Sequence, residues 1–361
     1  MPTGLYMHIP FCAKKCAYCD FTSFSNRQSD FEPVVSVMMA EMEQAQGLEI
    51  DTVFIGGGTP TVLPHALLVS LLDTAKRCFF IQNNAEITVE ANPGTLEPKM
   101  LEALLKSGVN RLSIGAQAMQ PHLLQTLGRI HTASDTEKSV QMARGAGFSN
   151  INIDVMYGLP GQAPGMFRDT LAWVFALEPK HISAYSLIIE EGTPFHLRYA
   201  GRPQALPSED EIVEMSDDAL SMAEDAGFPR YEISNYAKPG FECRHNLGYW
   251  LRFDYIGIGC AAHSLRDNRR YANASTIEGY LSGQRDEETV LTQEEARFER
   301  LMMGLRLVHG IFWEEQALFD PFMEPLKRLR QSGLVDYDEA RVWPTGRGLD
   351  LHNRILMELM I

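Results

Sequence analysis

The chain has 361 residues, 45% of them hydrophobic, and a formal net charge of −15 at pH 7. That length suggests about two domains with ample core material. The acidic excess argues against broad phosphate-mediated binding of nucleic acid and against electrostatic attachment to an anionic membrane, and no stretch reaches the roughly 18 apolar residues of a spanning helix.

The first predicted strand, Leu5–His8, runs straight into HIPFCAKKCAYCDF, where Cys12, Cys16 and Cys19 stand in a C-x3-C-x2-C pattern. A tight loop with three thiolates can hold three irons of a cubane iron–sulfur cluster. The fourth iron then keeps open positions, and the amino and carboxylate groups of S-adenosylmethionine (SAM) suit them. Structural zinc usually takes four ligands, often from paired C-x2-C knuckles. No second knuckle exists, because Cys78, Cys243 and Cys260 are scattered. Disulfides belong to oxidising compartments, and six cysteines without an apolar N-terminal segment point to a reducing cytoplasm.

Further strands are predicted at Thr52–Ile55, Glu86–Val89, Arg111–Gly115, Asn150–Met156 and His181–Leu187. Helices are predicted between them, near 32–45, 64–77, 97–107, 121–127 with 135–145, and 164–177. This alternation means βαβ units and a parallel sheet. Six units are too few for a closed eight-stranded barrel, so an open, partial barrel is expected, with its site at the C-terminal ends of the strands. The cysteine loop follows strand one and Gly56-Gly57-Gly58-Thr59 follows strand two. Glu90, Gln117 and Asp154 fall at or just after later strands. Each carboxylate alone reads as a cap or a solvated loop; their joint placement favours a site. Glycine lets a ligand approach the backbone, whose N–H groups can receive a carboxylate. The run lacks the lysine of a phosphate-binding loop.

Ser208–Gly227 reads as a helix opened by a Ser208/Glu211 capping box. Arg230–Ser234 is expected as a strand at the sheet edge, and residues 236–275 as irregular. Helical patterns return at 293–307, 313–319 and 321–331, before a hairpin of Leu334–Tyr337 with Arg341–Pro344 and a last helix from Gly346. That order is winged-helix-like, although the acidic charge favours a packing or interaction module over DNA binding.

With these motifs in view, the chain resembles the radical SAM proteins related to oxygen-independent coproporphyrinogen III oxidase. The likeness covers nearly the whole length, through LYMHIPFCAKKCAYCDF, FIGGGTPT, VEANPGT, GAQ, LGRIH, IDVMYGLPGQ and CRHNLGYW. Within that family it looks most like the heme chaperone branch, whose HNxxYW signature is matched by His245–Trp250. The resemblance implies an α/β fold: a partial (β/α)6 TIM-like radical SAM barrel at 1–228 and a smaller α+β C-terminal domain of the HemN type at 229–361. It implies a [4Fe–4S] cluster on Cys12, Cys16 and Cys19. It implies SAM contacts from Tyr6, Tyr18, Gly57, Gly58, Thr59, Glu90, Gln117, Arg129, Asp154 and Ser186, although the oxidase has alanine at the last. The stretch near Gly259 and Ala261 would close the site.

Heme is the third cofactor implied. His245 is a candidate axial ligand, Cys243 a thiolate or attachment point, and Tyr249 with Trp250 a wall for the macrocycle. The competing reading packs Tyr249 and Trp250 at an interface and lets His245 and Asn246 hold a turn. His8, His131 and His263 read as structural. The function implied is binding of heme and its delivery to acceptor proteins such as respiratory enzymes, in a cytoplasmic protein with no nucleic-acid partner, with homodimerisation and peripheral membrane association as further expectations. The alternatives are decarboxylation of coproporphyrinogen III and radical SAM chemistry on another substrate, so whether the chain is an enzyme stays open. Two departures weigh against the oxidase. Phe21 stands where the oxidase has one more cysteine, and Met1 lies only eleven residues before Cys12, so the oxidase's long N-terminal segment is not expected.

Overall fold

Apolar residues at alternate positions of six short segments pack outwards, and the residues between them point into a polar interior. The computed structural model describes residues 3–313 and 316–360. In chain order it opens with β1 (Thr3–Ile9), α1 (Phe31–Gln44), β2 (Glu49–Gly57), α2 (His65–Cys78), β3 (Phe80–Ala91), α3 (Pro98–Lys106) and β4 (Arg111–Gln117). Then come α4 (Pro121–Leu127), α5 (Ala133–Ala146), β5 (Asn150–Tyr157), α6 (Pro164–Ala176), β6 (His181–Ser186), α7 (Pro194–Tyr199), α8 (Glu209–Asp225) and β7 (Asn235–Ala237). Strands β1 to β6 pair in parallel, in chain order, which makes the open six-unit barrel. Leu5, Met7, Val53, Ile55, Val89, Leu112, Ile114, Ile153 and Val155 are fully buried in one core. The intervening Tyr6, Phe54, Glu90, Ser113, Asp154 and Ser183 line an interior cavity.

The sheet continues across the expected division at 228/229. Helix α9 (Arg244–Trp250) is followed by β8 (Asp254–Ile258), β9 (His263–Arg266), β10 (Arg269–Asn273), α10 (Ile277–Leu281) and β11 (Arg285–Val290). Strand β8 pairs in parallel with β1, and the sheet order is β11-β10-β9-β8-β1-β2-β3-β4-β5-β6-β7. Residues 236–275 are therefore not irregular. Their strands are short and polar, and they form because β1 offers an unpaired edge to β8. The edge strand is Asn235–Ala237 rather than Arg230–Ser234: Glu232 accepts a hydrogen bond from Ser234 N at 2.8 Å and folds that stretch into a turn.

The remainder comprises α11 (Gln293–Gly304), β12 (Ile311–Phe312), α12 (Met323–Gln331), β13 (Val335–Tyr337), β14 (Arg341–Pro344), α13 (Gly346–Asp350) and α14 (His352–Leu359). The hairpin appears where it was expected, within a three-stranded antiparallel sheet β12-β14-β13. The helix expected at 313–319 falls partly on 314 and 315, outside the described residues. A second core of Leu301, Leu305, Trp313, Leu326, Val342, Ile355 and Leu359 holds this part together. Glu232, buried, meets Arg306 at 3.5 Å and ties it to the barrel. At the other flank Glu41 of α1 accepts from Gly259 N (3.0 Å), Asn273 (2.7 Å) and Tyr280 (2.7 Å), which fixes β8 and β10 against the first helix.

Candidate cluster and cofactor site

The loop after β1 is held open by backbone bonds at both ends. Cys12 N donates to Phe24 O (3.0 Å), Phe24 N to Pro10 O (2.8 Å) and Ala17 N to Leu127 O (3.0 Å). Cys12, Cys16 and Cys19 are free thiols, each half-buried. The Thr59 hydroxyl donates to Cys12 Sγ at 3.6 Å, and Arg129 Nη1 donates to Cys16 Sγ at 3.4 Å. Burial, with Cys16 and Cys12 nearby, pushes the Cys19 thiol up to about 11. Three such thiols on one loop become thiolates only with cationic partners, and an iron–sulfur cluster supplies them. Among the described residues no three His, Cys, Asp or Glu side chains are grouped to share one ion. Thiolates that each take a different iron have no such requirement, so the donor set suits a cluster.

All three cysteines line a cavity of about 360 Å³ with Tyr18, Gly57, Gly58, Thr59, Glu90, Gln117, Arg129 and Asp154. These residues come from six separate segments, and strand ends bring them together. The glycines are required here. A Cβ on Gly58 would lie 2.5 Å from Phe11 O, and one on Gly57, at φ +101°, would lie 2.6 Å from the His8 ring. Gln117 itself sits at φ +67°, beside a bulge between Gly115 and Gln117. A non-glycine residue held there is strained backbone of the kind that gathers at functional sites.

The charges are arranged to receive a zwitterion. Glu90 accepts from Gly57 N at 3.2 Å; burial and then the nearby Asp154 carboxylate push it up to about 8. Asp154 is raised too, by burial, against bonds from Asn152 (2.6 Å) and Ser113 (3.2 Å). Arg129 keeps its charge despite burial, because Tyr18, Cys16 and Asp154 face it.

Two expected members lie elsewhere. Tyr6 is one compartment over, in the adjoining interior cavity, with its hydroxyl 2.9 Å from His8 Nδ1. Ser186 lines neither cavity. On β6 the inward positions are His181, Ser183 and Tyr185, so Tyr185 is the residue that enters the site. Phe21, already singled out by its position in the cysteine motif, also lines it, as do Asn92 and Met156, which were missed. Asn92 had a signal, two residues after Glu90 in VEANPGT, and it donates to the Thr59 hydroxyl at 2.7 Å. Gly259 does not close the site but packs β8 onto β1, its Cβ position 2.4 Å from His8 O. Ala261, at φ +61°, does line the next cavity.

The expected heme ligands have protein partners in the core. His245 is 3% exposed on α9, which plugs the barrel at its N-terminal end. Its Nδ1 is 2.8 Å from the Thr52 hydroxyl and its Nε2 3.0 Å from the Tyr249 hydroxyl. Its ring stacks on Phe54 with centroids 5.2 Å apart. Neither nitrogen is free for iron. Cys243 is fully buried, donates to Glu86 at 3.6 Å, and burial pushes its thiol up to about 12. Trp250 lies under the Arg306 guanidinium at 4.2 Å. The reading in which this segment packs and holds a turn fits better. Tyr249 alone of the four faces the interior cavity.

Residues 6–174 match the radical SAM superfamily model and residues 291–351 the HemN C-terminal domain. The chain is 38% identical over 324 residues to the heme chaperone HemW of Escherichia coli, covering 86% of this chain and 84% of that protein. It is 36% identical to the heme chaperone HemW of Bacillus subtilis, covering 97% of each, and 33% identical to that of Lactococcus lactis, covering 100% and 98%. Among solved structures, the radical SAM enzyme coproporphyrinogen III oxidase (HemN) from Escherichia coli superposes with a TM-score of 0.87 at 25% identity, over 99% of this chain and 90% of that one.

Proposed function

We propose that this chain, which belongs to the HemW family of radical SAM proteins, binds heme and delivers it to heme-accepting proteins. Radical SAM membership implies a [4Fe–4S] cluster and SAM. In this reading Cys12, Cys16 and Cys19 carry the cluster. Gly57 and Gly58 present backbone to the SAM carboxylate. Glu90, Gln117, Arg129 and Asp154 orient the rest of SAM, with Tyr18 closing one side. When both are bound, the cluster, once reduced by an external electron donor, would supply the electron that cleaves the sulfonium. The chain's own residues fix the geometry and shield the thiolates: Arg129 neutralises Cys16, and Thr59 with Asn92 holds Cys12.

The observation that carries the heme-transfer reading is Phe21. It is 65% exposed at the edge shared by the cluster cavity, the interior cavity and a third, outer cavity. A thiol there would serve chemistry on a substrate, whereas a phenyl ring is a flat apolar wall. The acceptors we expect are respiratory enzymes, met in the cytoplasm or at the membrane surface. No helix among the described residues is long and apolar enough to cross a membrane. Homodimerisation is a further part of the proposal, as is the two-unit division at 228/229, with β7 to β11 of the second unit extending the sheet of the first.

The test is anaerobic. Reconstituted protein should retain hemin through a desalting column and pass it to an apo-acceptor. It should release no carbon dioxide from coproporphyrinogen III with SAM and reductant. Loss of all hemin on the column, in both iron oxidation states, would defeat the proposal.

A further inference from the structure

We infer that this heme sits in the open cavity between the cluster loop and strands β8–β11, with His263, rather than His245 or Cys243, as its iron ligand. The inference rests on the heme-binding reading above and gives it an address. The α9 candidates are spent, because both nitrogens of His245 and the thiol of Cys243 are engaged in the core. Around the open rim, His8 is also spent, with Nδ1 on the Tyr6 hydroxyl and Nε2 on Thr22 O at 2.8 Å. His131 is buried against Ala116 O at 3.2 Å. His263 differs from all of these. It is exposed and lines the outer cavity, and its side chain makes no hydrogen bond among the described residues.

The cavity has the shape and surface an iron porphyrin needs. It measures about 680 Å³, within the roughly 300–1,000 Å³ of ligand pockets. Phe21, Tyr6, Tyr249 and Tyr255 give it flat walls, and Ala261 and Ala272 leave space above the sheet. The ligand stands on a fixed strand: His263 pairs with Ala272, and the next residue, Ser264, is buried with its hydroxyl 2.8 Å from Gly257 N. Asp20, Asp286 and Glu287 also line the cavity. A ring N–H donated to one of them would make a ligating imidazole a better donor. They also repel propionates, so the heme must enter with its propionates towards solvent. The cluster thiolates are outside this cavity, so heme and cluster can be held together. A single protein ligand beside an open mouth would leave the heme within reach of an acceptor's side chain, which suits a cargo that must leave.

Hemin titration of the cluster-loaded protein tests this, read by affinity and by ferric-heme electron paramagnetic resonance, where the oxidised cluster is silent. His263→Ala should weaken hemin by about tenfold or more and change the ferric signal, and added imidazole should restore that signal. Phe21→Ser should weaken hemin and leave the signal as it was. His245→Gln should keep both. Wild-type affinity and signal in His263→Ala would overturn the inference while leaving heme binding intact. An altered ferric signal in a folded His245→Gln protein would overturn it as well. Failure of the unaltered protein to bind hemin would remove the heme-binding reading and this address with it.

Discussion

The two ends of the barrel are built from the same inward-facing strand positions, yet one is finished and the other is not. At the N-terminal end Thr52, Glu86, His181 and His245 are buried and bonded to protein partners. Glu86 caps the first turn of α9 through Arg244 N (3.2 Å) and His245 N (3.1 Å), and His181 spans Asn152 (2.6 Å) and Tyr231 (2.8 Å). At the C-terminal end the thiols are half-buried, Phe21 is exposed, and the backbone at Gln117 is strained. Buried polar groups that are fully paired specify structure, whereas groups left open at a rim remain available to a ligand. Of the α9 signature residues, His245 and Trp250 fall on the finished side, whereas Asn246 and Tyr249 face the interior cavity. A characteristic motif can therefore mark a family through its packing, while the chemistry lies on the opposite rim.

The sharpest break between the ends is Cys12→Ala. It should abolish the cluster, measured as iron and sulfide after anaerobic reconstitution, whereas Cys78→Ala, in the helical layer, should leave both unchanged. Equal iron in wild type and Cys12→Ala would dismantle the open-rim assignment. On the closed side, His245→Ala removes a stacked ring and strands the Thr52 and Tyr249 hydroxyls. It should cost about 3 kcal/mol in denaturant unfolding, while Phe21→Ala on the rim should stay within about 0.5 kcal/mol. A stable His245→Ala protein would argue that α9 is a ligand site after all.

How much of this was legible in the sequence follows from where each residue gets its stability. Strands β1 to β6 carry alternating apolar residues such as Leu5/Met7 and Ile151/Ile153, so their pattern announces them. Strands β9 to β11 read HSLR, RRYAN and RDEETV, with every residue of β11 exposed, and only pairing with neighbours makes them strands. Helix α9 has seven residues and no side-chain N-cap, and Glu86, 158 positions from Arg244, supplies what a cap would. The rim residues Glu90, Asp154 and Gly57 were legible because βα units place strand ends together. Ser186 came through the resemblance and lines neither cavity, whereas counting by twos from His181 gives Tyr185. His263 carried no local signal at all, because its exposure depends on β9 lying beside the barrel.

Glu90 sharpens the comparison by pH. Its folded value of about 8 lies above the ordinary carboxylate range, so the folded chain holds the proton more tightly. The associated stability is fully present below about pH 4.5 and is lost as pH rises through about 8. Glu90→Gln should match the wild type near pH 5 and exceed it at pH 9, on the order of 1–3 kcal/mol, in unfolding measured without SAM. Identical pH profiles would show that this carboxylate is solvated rather than enclosed. Asp154→Ala, on the open rim, should retain iron while weakening SAM by about tenfold, or about 1.4 kcal/mol, in calorimetry of the reconstituted protein. Unchanged affinity in this variant and in alanine variants of Glu90, Gln117 and Arg129 would empty the SAM site of its assigned residues.

The smallest effect is expected at Trp250, where the two readings of the signature part most cleanly. Its indole Nε1 is buried without a hydrogen-bond partner, and its ring lies under Arg306. Trp250→Phe removes the unpaired donor, which relieves a cost of about 1–3 kcal/mol at most. It also weakens the cation–π contact, worth about 0.5–1 kcal/mol, and leaves a small void. The opposing effects should leave unfolding free energy within about 1 kcal/mol of wild type. If Trp250 only packs α9 against α11, hemin affinity and the ferric-heme signal should not move. If Trp250 forms a wall of a heme site, both should shift even though stability does not, and the closed end of the barrel would then share in function.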